Sequence, residues 1–303
     1  MKTKISDLTI NETINYLQEI GDKKNVEPLE SLVQEDPSLA NLKISEVKET
    51  IHLSRATWRG TEHTFGYIRP GEKKGLHPIL YAGSIEPDIS LKNARVDILL
   101  AGIYTMNYPG WGRHNILLQF YTQHGTDAKG KPVKVQFQQK YVSKENEGAG
   151  VLGNFIFTGL KVPPSGLDFE VNVINLSNEE DEAALTVLDS EVIRKGLDLA
   201  HTALSGLETI SRLGEGIVKL VLTRNRNKIV QSFHLGLNLT HVQGPLARLR
   251  EGTFLAIQCR RDQLDWSDWV YDAHKGLVVL QQDTSVRLPY NHILFTVIKH
   301  KED

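Results

Sequence analysis

Cysteine is nearly absent. Cys259 is the only one in 303 residues, so no disulfide can form within the chain. A core drawn from a chain of this length needs no covalent staple, and a lone thiol points to a reducing compartment. Long apolar runs are missing too. Nothing approaches the roughly 20 consecutive apolar residues of a spanning helix, and the opening stretch MKTKISDLTINETINYL lacks the apolar segment of a secretory signal. The expectation is a cytoplasmic protein, in which the sequons at Asn11, Asn175 and Asn238 carry no weight. Neither sign of charge dominates: 35 Lys and Arg stand against 37 Asp and Glu, a net charge of −2. That balance argues against nucleic acid as a partner, because such binding rests mainly on excess Lys and Arg. No repeat of fixed period and no low-complexity tract is visible.

Motifs of known chemistry are also missing. There is no G-x-S-x-G elbow for a hydrolase, and no H-E-x-x-H or H-x-H among eleven histidines. Gly148, Gly150 and Gly153 match G-x-G-x-x-G, but a charged segment precedes them and a strand-like run follows. A dinucleotide site needs the reverse order, a strand before and a helix after. Paired carboxylates for glycoside chemistry are defined by a tertiary separation and cannot be nominated.

What is present is strand pattern. Arg95 to Tyr121, RVDILLAGIYTMNYPGWGRHNILLQFY, holds two apolar runs around Pro109, Gly110 and Gly112. Pro fixes φ at the first turn position and Gly accepts the positive φ that follows, so the stretch predicts a central antiparallel hairpin with Tyr108 and Trp111 at its tip. Val133, Val135 and Phe137 alternate with Lys134, Gln136 and Gln138, the pattern of a strand with one wet face. Further strands are expected at Phe169 to Val173, Ile229 to Leu239 and Phe254 to Cys259. A hairpin is expected from Trp269–Tyr271 to Leu277–Leu280, and a central strand at Ile293–Ile298.

Helical pattern occupies two places. Ile10, Ile14 and Leu17 recur at helical spacing with Gly21 as the stop, and Pro28 suits the first turn of a second helix. In the second place Ser177 or Asn178 caps an acidic first turn, Glu179 to Glu182, and apolar faces follow at Leu185, Leu188, Val192 and Leu199, then at Leu207, Ile210, Ile217 and Leu220. One helix of that length would exceed about 60 Å, so a break at Gly206 or Gly214 makes it a pair. Strands before and after one helical block argue against a parallel α/β fold. The reading is mainly β: an antiparallel β-sandwich from 46 to 303, a helical-pair insertion at about 178–224, and a helical appendage over 1–45. This layout is loosely similar to C2-type sandwiches, although no calcium-loop motif stands where that family has it.

The densest functional pattern is DQLDWSDWVYD, Asp262 to Asp272. Asp262, Asp265, Asp268 and Asp272 supply hard oxygen ligands suited to calcium, weighed against an ordinary solvated acidic turn whose tryptophans pack on the core beneath. Trp266 and Trp269 suit a lipid headgroup layer or a partner's surface. Arg260 and Arg261 precede them and join Arg224, Arg226, Lys228, Arg248 and Arg250 as basic patches. Cys259 shares a face with Leu255 and Ile257 and reads as a buried small hydrophobe rather than a nucleophile. The expected function is a non-enzymatic interaction or effector module with a protein partner. The alternatives are a peripheral membrane binder, calcium-assisted, and an enzyme whose site is assembled from dispersed residues.

Overall fold

The computed structural model describes residues 4–47, 56–71, 74–126, 132–149, 151, 153–176, 197–200, 227–240 and 246–301. They form a mainly β, mostly antiparallel architecture of three sheets, with strands numbered in chain order. The largest runs β10 (Leu197–Asp198), β8 (Asn154–Lys161), β4 (Arg95–Thr105), β16 (His292–Lys299), β13 (Gly252–Ile257), β1 (Thr64–Ile68) and β3 (Leu80–Tyr81), with β7 (Glu147–Gly148) also paired to β4. A five-stranded sheet runs β12 (Ala247–Arg248), β11 (Lys228–Asn238), β9 (Gly166–Leu176), β5 (Arg113–Thr126) and β6 (Pro132–Lys144). A small sheet runs β15 (Leu277–Leu280), β14 (Trp269–Asp272) and β2 (Leu76–Pro78). Among the described strands, the β10–β8 and β11–β12 pairings are parallel and the other strand pairings are antiparallel.

The largest sheet is buried on both faces, and its sequence shows why. Strand side chains alternate between faces. In β13, Phe254 and Ala256 join a large core shared with the five-stranded sheet, while Leu255 and Ile257 join a second core with Val278, Leu288 and Cys259. In β16, Ile293, Phe295 and Val297 face the first core and Leu294 faces the second. Strands apolar on both sides, such as HILFTVIK, are the signature of a doubly covered sheet. An aromatic knot joins the two large sheets: Phe295 lies edge-on to Phe120 at 5.8 Å and to Phe169 at 6.1 Å, and stacks on Phe254 at 5.6 Å between centroids.

Helices α1 (Ile10–Glu19) and α2 (Lys23–Glu35) are tied into the same large core through Ile10, Ile14, Leu17, Val26 and Leu29. Thr9 and Glu12 form a reciprocal capping box at the start of α1. Gly21, at φ +73°, stops α1 as its sequence predicts. Pro28 departs from expectation, lying inside α2 rather than in its first turn. Asp22, directly after the Gly21 turn, accepts from the Asn25 N–H and so starts the helix earlier.

The expected hairpin does not form. β4 pairs with β8 and β16 in one sheet, while β5 pairs with β6 and β9 in the other. Residues 106–112 are therefore an arch that carries the chain from sheet to sheet. β6 also departs from its predicted wet face, because Gln136 and Gln138 are buried. The expected helical pair lies outside the described residues except at 197–200. There the chain is a short strand against β8 and a turn, so Leu199 belongs to no helix. Other expectations hold. β11 buries Phe233, Leu235 and Leu237 with His234 exposed, β14 and β15 form the predicted hairpin, and β16 sits between β4 and β13. The glycine-rich stretch leads through the short β7 into β8 and precedes no helix among the described residues.

Candidate functional site

The arch is held at almost every residue. Asn291, fully buried in front of β16, accepts from the Met106 N–H at 2.7 Å. Its own amide donates to the Gln258 side chain at 3.0 Å, and Gln258 in turn donates to the carbonyls of Gly60 and Val230. Asn175 on β9 donates to the Pro109 carbonyl at 3.0 Å. The Asp22 carboxylate accepts from the Gly110 N–H at 2.8 Å, and the Glu145 N–H donates to the Gly112 carbonyl at 2.9 Å. Asp22, Asn175 and Asn291 are each at most 4% exposed. Buried polar groups that are fully engaged fix one conformation, and here they fix the arch.

One side chain of this braced loop is left in solvent. Trp111 is 78% exposed, the most exposed large apolar residue described. Its neighbour Tyr108, also predicted at the tip, is 1% exposed and packs edge-on to His114 at 5.2 Å. Burial drives the Tyr108 hydroxyl pKa well above its ordinary value, with the nearby Tyr16 adding to the effect, and the same burial lowers that of His114. Tyr108 is therefore packed into the core and, unlike Trp111, leaves almost none of its ring at the surface. Three residues of the arch sit in the left-handed region: Asn107 at φ 50°, Gly110 at 107° and Gly112 at 78°. Only glycine adopts φ near 107° without strain, so Gly110→Ala is expected to lower stability by about 1–3 kcal/mol. Urea titration of the variant checks this, and an unchanged midpoint would show that the arch relaxes freely.

The acidic stretch Asp262 to Asp272 is dispersed into local roles. Asp262 pairs with Arg260 at 3.1 Å, and Asp272 accepts from the His274 and Lys275 N–H groups and meets the Lys275 ammonium at 3.3 Å. Asp265 accepts from the Ser267 N–H and hydroxyl, which hold its carboxyl below the usual range. Asp268 is exposed. The pattern Asp-x-Ser was legible: the same pair of bonds recurs at Asp36–Ser38, Asp88–Ser90 and Asp283–Ser285. It marks Asp265 as a turn cap. Among the described residues no group of three or more His, Cys, Asp or Glu is placed to hold a metal ion. Trp266 and Trp269 are half-buried against the second core, and an added Cβ on Gly66 would stand 2.5 Å from the Trp266 ring. Arg261 lies over the Tyr81 ring at 4.3 Å. The structure therefore does not bring these residues together as one site.

Cys259 belongs to the second core at 4% exposure, beside a polar pocket of about 530 Å³ whose lining includes Arg59, Glu62, Gln258 and Tyr290. Burial, helped by Asp262 and Glu62, pushes its thiol pKa up to about 12. A thiol held protonated is not a nucleophile at neutral pH. Iodoacetamide is expected to leave Cys259 unmodified in the folded chain and to label it in urea. Fast native labelling would overturn that assignment.

Among the described residues no helix is long and apolar enough to cross a membrane. Comparison with protein-family models, with curated proteins and with solved structures returned no match for this chain.

Proposed function

We propose that this chain is a binding module for a protein partner, with a contact surface centred on Trp111. The observation that carries the reading is a loop fixed by three buried polar side chains that nevertheless presents an indole at 78% exposure. Trp is the residue most often found at the energetic centre of interfaces, and a contact already held in place avoids much of the entropy cost of association. In this reading the two large sheets act as a β-sandwich that holds the arch at one end, and α1 and α2 serve as its brace. The lone buried thiol suits a cytoplasmic setting.

The test is a photo-crosslinking amino acid in place of Trp111, with the exposed Leu76 position as control. Crosslinks specific to position 111, competed by unlabelled wild type but not by Trp111→Ala, are expected. Equal crosslinking from both positions would remove the reading.

The alternative is calcium-assisted membrane binding. Its support is the exposure of Asp262, Asp265 and Asp268 beside the half-exposed Trp266 and Trp269. In that case calcium raises the melting temperature, Asp265→Asn with Asp268→Asn abolishes the rise, and indole emission shifts to the blue on anionic vesicles. A melt and an emission spectrum that calcium leaves unchanged would discard it.

A further inference from the structure

We propose that the surface formed by Trp111, Arg113, Val142 and Lys144 takes an acidic segment of a partner protein, with an apolar side chain set among its carboxylates. The proposal rests on the reading of Trp111 as a contact and names the chemistry of what it touches. Arg113 and Lys144 are direct cross-strand partners in the β5–β6 register, and both are exposed. Like charges placed opposite each other on adjacent strands are destabilising. Nothing described offsets them well. No ion pair of Arg113 occurs among the described residues, and the carboxylate nearest Lys144 is Glu147 at 3.9 Å, with the two side chains 68% and 55% exposed. A pair that open to solvent contributes little. An anion supplied from outside relieves the repulsion, and the planar Arg113 guanidinium suits a carboxylate in two-point contact.

Apolar surface stands beside these cations. Asn115 and Val142 are the next register pair on the same face, and Val142 is 40% exposed. Trp111 precedes Arg113 by two residues, across Gly112, whose carbonyl is tied to the Glu145 N–H. Two cations and a valine share one face at this end of β5 and β6, and the exposed Trp111 stands two residues before Arg113 in the chain, a combination suited to apolar and acidic side chains together.

Of three occupants, a second copy, an anionic bilayer and a single acidic segment, the geometry points to the last. A second copy is disfavoured, because it would bring the same two cations against each other. A flat anionic bilayer would also meet Glu145, held by Lys24 at 2.9 Å on the turn after β6, and the exposed Glu147 at the start of β7. With one exposed aromatic and few cations it lacks the strength of anchoring that usually takes two signals. A single extended or helical segment passes beside those carboxylates.

The experiment uses fluorescence anisotropy of a labelled synthetic peptide of alternating Glu and Leu, titrated with the full chain at low and high salt. Saturable binding is expected, weakened by salt and weakened about tenfold or more by Arg113→Glu with Lys144→Glu and, separately, by Trp111→Ala. The charge-reversed chain is expected to prefer the corresponding Lys and Leu peptide. Arg113→Gln with Lys144→Gln, which removes the repulsion, serves as the folded control and is expected to bind weakly. Absence of saturable binding, or binding indifferent to these substitutions, overturns the proposal. So does binding to phosphatidylserine vesicles that the charge reversal abolishes while the peptide fails to bind. A specific crosslink from position 111 together with a failed peptide removes the acidic partner and leaves Trp111 as a contact. Failure of both removes both.

Discussion

Phe295→Ala is expected to cost about 3–5 kcal/mol. Phe295 is fully buried at the centre of the largest sheet, between β4 and β13, and its ring touches Phe120 and Phe169 of the facing sheet as well as Phe254 beside it. Truncation removes the transfer energy of one ring, leaves a cavity that rigid neighbouring strands cannot close, and breaks three aromatic contacts. Against a total stability of about 5–15 kcal/mol, that is a large share. Phe295→Leu, which keeps much of the volume, is expected to cost clearly less. Guanidinium titrations of the two variants check the order. Equal, small losses would mean that the two sheets do not meet through this residue.

Mild acid is the second large effect. Burial lowers the pKa of both His63 and His292 to about 4 from the ordinary 6.5. His292 is 2% exposed and stacks on Tyr104 at 4.5 Å, and both ring nitrogens of His63 are sealed from solvent. Between pH 6.5 and 4 the unfolded chain binds protons at these positions and the folded chain does not. Stability is therefore complete above about pH 6.5, falls as pH drops towards 4, and gains no further loss from these two groups below that. Each shift corresponds to about 3 kcal/mol. His114 and His124, also lowered chiefly by burial, add in the same direction. Urea midpoints measured from pH 7.5 to 4.5 are expected to decline steadily, with a shallower decline for His292→Phe. Midpoints flat down to pH 5 would contradict the burial of these rings.

Much of the strand content was legible because it is encoded locally. The alternation along Ile229 to Leu239, the β14–β15 hairpin and the doubly apolar β16 each follow from period and composition over a few residues. The arch was not, since two apolar runs around Pro109–Gly110 look alike whether the strands pair with each other or with different sheets. That choice is made by β9 and β16, which lie far along the chain. The same distance hid the brace: nothing near Asp22, Asn175 or Asn291 in sequence announces that they meet at residues 106–110. Trp111 was legible as a candidate, but its contrast with Tyr108 was not, because the chain buries Tyr108 beside Tyr16 and His114. Trp266 packs on the core beneath the acidic turn, as one reading of the stretch expected, but the room that Gly66 leaves for it above β1 could not be read from a position so far along the chain. Gln136 and Gln138 misled for a related reason, since polarity suggested a wet face where both side chains are buried.

The most direct test of the account separates stability from contact at one residue. Trp111→Ala is measured side by side for thermal melting and for competition against the crosslink formed at position 111. An exposed indole on a braced loop predicts a melting free energy within about 0.5 kcal/mol of wild type together with loss of competition. A melt lowered by as much as that of Phe295→Ala, or competition retained in full, would contradict the claim that Trp111 is held out for a partner.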